Sequence, residues 1–158
     1  MILGALAGGL VGTVVLTTGS RLAQSAGWTR MDIPLLLGTA FTADRSRAAA
    51  LGYAIHFVNG LIFSLGYGLV FEAIGRAGLL LGAALGLAHG AFAGGALLNI
   101  LLPAVHPRMG RAWSDARETP ILEPPGFLLA NYGRSTMAVA AVLHVAYGAI
   151  VGLFASFS

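Results

Sequence analysis

The side chains best suited to chemistry in this sequence are histidines. His56, His89 and His144 fall inside long apolar runs, and His106 follows the end of one. Imidazole changes charge near neutral pH and is a common metal ligand. An ionisable group inside an apolar span is costly and usually turns toward the interior of a bundle. A small residue stands four positions before two of them, Gly52 before His56 and Ala140 before His144. Three chemistries follow. Neutral imidazoles could ligate a haem- or chlorophyll-type tetrapyrrole, the small residue making room for the macrocycle. His56, His89 and His144 with Glu72 could form a proton or metal-ion path. The same groups, with the amides of Asn59 and Asn99, could hold the head of a lipid or quinone. The plain alternative is that each neutral imidazole hydrogen-bonds a group on a neighbouring helix.

Covalent and hydrolytic catalysis find little support. The chain has no cysteine and carries no nucleophile-elbow, zincin, Walker or dinucleotide-binding motif. Ser64 lies about two turns beyond His56 on the same run, with no base at its own depth. The carboxylates Asp32, Asp44, Asp115, Glu118 and Glu123 are scattered among arginines and read as helix caps and solvated ion pairs. A non-enzymatic protein is the expectation.

The elements that must position these residues are read from composition. Only 9% of the 158 residues are charged and 57% are hydrophobic, against roughly 25% charged in soluble domains. Four runs, about 2–23, 48–74, 77–102 and 136–157, approach or exceed the roughly 20 apolar residues needed to span a bilayer. Pro103 should close the third run. The expected fold is all-α, a four-transmembrane-helix bundle forming one integral membrane domain over 1–158. Its first run lacks the charged leader of a secretory signal and reads as a retained helix.

Gly75 and Arg76 make a tight connection between the second and third helices. The loops 24–47 and 103–135 are long, and alternating crossings put both on one side. That side holds Arg21, Arg30, Arg45, Arg47, Arg108, Arg111, Arg117 and Arg134, and the other holds Arg76. The bias predicts cytoplasmic loops and both termini outside. Topology and headgroup contact explain these arginines better than nucleic acid does. Short interfacial helices are expected in the loops. Asp32, Ile33 and Pro34 form a cap and first turn before Leu35–Leu37, Trp28 serves as an anchor, and Phe127–Leu129 returns toward the bilayer. Thr42 or Asp44 should cap the second span.

Small residues recur every fourth position. The third helix carries Gly78, Gly82, Gly86, Gly90 and Gly94; the second, Gly52, Gly60, Ser64 and Gly68; the fourth, Ala140, Gly148 and Gly152; the first, Gly4, Gly8 and Gly12. Such rows let helix backbones approach closely in lipid. His56 takes the vacant place in the row Gly52, Gly60, Ser64, Gly68 and should share its packing face. Helical rise places His56 and His144 about 12–15 Å from the loop-side helix ends and His89 deeper, at about 20 Å.

The phrases Met31–Thr39, His56–Gly60, Val105–Gly110, Leu122–Gly126 and His144–Gly148 resemble a group of uncharacterised bacterial membrane proteins. The resemblance implies a four-helix membrane fold in a bacterial inner membrane, and no substrate. The expected function is a small accessory or ligand-binding bundle in the lipid bilayer, within a homo-oligomer or larger membrane complex. The alternatives are a histidine-ligated cofactor protein and an ion-coupled transporter acting as a homo-oligomer. The candidate site is His56, His144 and His89, with Gly52, Gly60, Gly82, Gly86, Gly90, Gly94 and Gly148 in the packing rows.

Overall fold

Local signals start the helices where capping side chains stand. Asp32 accepts from the Leu35 N–H at 3.1 Å and opens α2 (Ile33–Thr39), with Pro34 in its first turn. Asp44 accepts from the Arg47 N–H at 2.7 Å and opens α3 (Arg45–Ile74), three residues before the expected start. Of the two expected caps Asp44 is the one used, and this contact, followed by the Ser46 hydroxyl, holds its carboxyl below the usual carboxylate range. α3 ends on Gly75 in the left-handed conformation, φ +75°, where the absence of a Cβ removes the steric cost.

The remaining elements of this computed structural model are α1 (Ile2–Ser25), α4 (Leu79–Phe92), a π-helix (Ala93–Leu101), α5 (Leu102–Val105), a short 3-10 segment (Phe127–Tyr132) and α6 (Thr136–Ala155). The structure describes residues 1–110 and 122–157. Arg111, Asp115, Arg117 and Glu118 lie outside the described residues. Among those described the fold is all-helical, with one isolated bridge between Met109 and Leu122 in place of strands. Four continuous helices, Ile2–Ser25, Arg45–Ile74, Leu79–Val105 and Thr136–Ala155, are long and apolar enough to cross a membrane.

The third of these does not stop at Pro103. It passes through the proline and ends at Val105. A proline lacks the N–H of the helical ladder and collides with the carbonyl four residues back. Here the preceding nine residues run in π register, and the Leu102 N–H reaches the Leu97 carbonyl, five residues back. The wider turn absorbs the proline.

α4 packs on α6, α6 on α1, α1 on α3, and α3 on α2. The helices therefore form an arc, and the consecutive pair α3 and α4 is not a packed hairpin. Backbones approach closely between α4 and α6. A Cβ on Gly82 would strike the Gly148 carbonyl, one on Gly86 the His144 carbonyl, and one on Gly152 the Gly78 carbonyl. On α3, a Cβ at Gly60 would strike the Thr13 hydroxyl of α1, and one at Gly52 the Pro34 carbonyl of α2.

Two apolar clusters fill the arc. One joins Ala5, Leu16, Tyr67, Phe71, Tyr147, Val151 and Ala155; the other, at the end where the long connections meet, joins Met31, Leu36, Met109, Leu122, Leu129, Tyr132 and Ala140. The connections are stitched together there. The Arg30 N–H donates to the Tyr132 carbonyl at 2.7 Å, and its guanidinium reaches the Asn131 carbonyl and, at 3.4 Å, Glu123. Thr29 and Thr136 share a buried hydroxyl–hydroxyl bond of 2.8 Å. Tyr132 donates to the Glu123 carbonyl at 2.7 Å, and burial, with the Glu123 carboxylate adding to it, pushes its phenol up to about 12.

Candidate functional site

The gap in the arc positions the site. α3 carries His56, Asn59 and Phe63 on one wall, and α4 with its π continuation carries His89, Ala93, Gly94, Leu97 and Leu98 on the other. The α6 residues Val139, Ala140, Leu143, His144 and Tyr147 form the floor. Together they line a cavity of about 250 Å³. His56, His89 and His144 all border it, so the structure brings the three expected site residues around one space.

They do not sit as the rise calculation placed them. His89 is level with His144, the rings meeting edge to face with centroids 4.7 Å apart. Only flush helix ends would put His89 deeper. α6 instead begins level with the middle of the α4–π–α5 helix, where a Cβ on Gly94 would lie 2.8 Å from the Met137 sulfur. The longer helix overshoots α6 by the stretch that continues to Val105, and Leu129 fills the space beneath.

Each imidazole is held differently. His144 Nδ1 lies 2.7 Å from the Ala140 carbonyl. A carbonyl only accepts, so Nδ1 carries the proton, and in the neutral ring Nε2 is left as a lone pair. His89 stacks on Phe63 at 3.8 Å and shares a 3.2 Å bond between Nδ1 and the Tyr67 hydroxyl. It is the tie across the mouth of the α3–α4 gap. His56 and Asn59 have no hydrogen-bond partner among the described residues. No fully buried polar side-chain atom there lacks one, so these unpaired groups and His144 Nε2 border open space.

Tyr147 belongs to the site although the histidine pattern does not reveal it. Its ring covers Gly12 and its hydroxyl donates to the Gly60 carbonyl, tying α6 to α3 beneath the cavity. The sequence signal was its place one turn after His144. Phe63 and Tyr67, four apart on α3, both contact the His89 ring, the first stacked on it and the second edge to face.

Several expected features are not assembled. Glu72 pairs with the Met1 amino group at 3.2 Å, and helical rise puts it about 24 Å along α3 from His56. No cluster of three metal-ligating side chains occurs among the described residues. The space that Gly52 was expected to open for a macrocycle is filled by the Pro34 backbone. Asn99 turns away from the histidines. With its amide oriented to suit both partners, it donates to the Gly126 carbonyl and accepts from the Leu128 N–H. The loop histidine, His106, is buried beneath α2. Its Nδ1 accepts from the Arg108 N–H at 3.1 Å, which leaves the proton on Nε2 to be donated to the Leu36 carbonyl at 3.1 Å.

A scan against protein-family models gives no match, and neither do searches of the curated proteins and of the solved structures. What the site can do follows from its geometry. It cannot enclose a tetrapyrrole as it stands, because 250 Å³ falls below even the roughly 300–1,000 Å³ of pockets for drug-sized ligands. A slender molecule fits better. The recess is partly open and apolar over most of its wall, so an empty space would forfeit van der Waals contacts that an apolar occupant supplies.

Proposed function

We propose that this chain is a small non-enzymatic integral membrane protein that binds an apolar ligand in the gap between α3 and α4. The observation that carries this reading is the cavity itself, apolar over most of its wall yet bordered by His56, Asn59, His89 and His144. A few placed polar groups in an apolar recess are the usual make-up of a small-molecule site. The outer surface supports the membrane setting, with Leu3 79%, Leu80 81% and Ile100 70% exposed. Water would leave those side chains unburied, whereas lipid solvates them. Glycine rows suit the same setting, since helices in lipid associate through close van der Waals packing. The arginine bias supports a cytoplasmic setting for the long connections.

The test is occupancy. Protein extracted in mild detergent should carry a bound small molecule visible by native mass spectrometry. Leu97→Trp and Leu143→Trp, which fill the cavity from one wall and from the floor, should carry none. Equal loads on the wild-type and both variants would overturn the reading.

A further inference from the structure

The polar atoms facing the cavity are specific about the head of the ligand. We propose that it is an uncharged lipid carrying a hydroxyl, an alcohol or a quinol in chemical class, whose O–H donates to His144 Nε2. This rests on the reading that the cavity binds a ligand.

Three observations carry it. His144 is fixed as an acceptor, because its only N–H is committed to the Ala140 carbonyl. A ligand oxygen without a proton would face a lone pair, and a hydrocarbon would leave it unsatisfied. Next, among the described residues no Asp, Glu, Lys or Arg lines the cavity. A carboxylate, phosphate or ammonium entering it would be buried without a countercharge, which is far more costly than burying a hydroxyl. Finally, Asn59 lines the same space with its amide unpaired and stands three residues after His56, so both share one face of α3. Its N–H can donate to the oxygen whose proton goes to His144. A hydroxyl is the smallest neutral group that meets a fixed acceptor and an available donor together. The lining side chains from Leu97 to Val105, about 12 Å by helical rise, are all apolar, which suits one slender tail.

The experiment measures binding of radiolabelled dodecanol, a decyl quinol, dodecane and dodecanoate to the full chain in nanodiscs, corrected with empty nanodiscs. Dodecanol or the quinol should bind about tenfold tighter than dodecane, as one extra hydrogen bond of about 1.4 kcal/mol implies. The tighter of the two identifies the source of the hydroxyl. His144→Phe should erase that margin while leaving dodecane binding intact, and Asn59→Leu should reduce it independently. Dodecane or dodecanoate binding as tightly as both hydroxyl probes would overturn the head-group proposal with the ligand-binding reading intact. Binding by none of the probes, or binding unchanged in Leu97→Trp, would overturn the ligand-binding reading itself.

Discussion

His89 and His144 meet edge to face, with ring centroids 4.7 Å apart, although they come from helices that run in opposite directions. The contact works because Gly90 leaves room for the His144 side chain, a Cβ there lying 3.0 Å from that of His144. His89 continues the chain of rings to Phe63 and Tyr67 on α3. One imidazole thus touches α3, α4 and α6 at once.

That position predicts an asymmetric response to substitution. His89→Phe keeps the ring contacts and loses the Tyr67 bond, a change of about 1 kcal/mol. His89→Ala removes the ring as well and should cost about 3 kcal/mol. Reversible unfolding in mixed micelles measures both. Equal losses would show that the rings contribute nothing.

Gly148→Ala should destabilise the pairing of α4 with α6 by about 2 kcal/mol, since the new methyl overpacks against backbone that cannot move aside. Its Cβ would meet the Gly82 carbonyl and lie 2.7 Å from the Gly86 Cα. Gly66→Ala is the control. Nothing lies within 4 Å of its Cβ, so helix propensity alone should make it neutral or slightly stabilising. The same unfolding assay separates the two.

Leu128 and Leu129 both hold positive φ, +51° and +64°. Such a conformation costs a residue with a Cβ roughly 1–2 kcal/mol. Leu128 is 45% exposed and Leu129 fully buried. Leu128→Gly should therefore raise stability by about 1 kcal/mol. Leu129→Gly should lower it, because the lost side chain outweighs the relieved strain. A fall in melting temperature for Leu128→Gly would contradict the assignment.

His106 predicts a dependence on pH. Burial, opposed by its bond to the Leu36 carbonyl and reinforced by the Arg108 guanidinium, lowers its pKa from 6.5. The folded state then binds fewer protons than the unfolded chain at mildly acidic pH. Stability is full above about pH 6.5 and falls as pH drops through that value toward the folded pKa. Melting temperature recorded across that window should show the fall in the wild-type protein. His106→Gln should make it shallower.

The four long helices were legible because apolar runs and capping side chains are local signals. Asp32 and Asp44 act where they stand in the chain, and so does Gly75. The depth of His89 was not legible, because it depends on how far α4 and its continuation overshoot α6. The π register before Pro103 leaves no mark in the periodicity of Ala93–Leu101. Nor could the pattern around His56 tell that Gly52 would be filled by Pro34, a residue on a different element. The three histidines were found from their type and apolar setting. Tyr147 does not stand out in the sequence, because a tyrosine in an apolar run looks like ordinary core.

The arc of helices also bears on the order in which the chain is made. α4 leaves the ribosome directly after α3, yet its main packing partner is α6, which is synthesised later. Until α6 arrives, the bare backbone around Gly82, Gly86 and Gly90 has no complementary surface from its own chain. A nascent protein stalled between Val105 and Thr136 should therefore be the form most dependent on insertion machinery and most readily cleared by quality-control proteases.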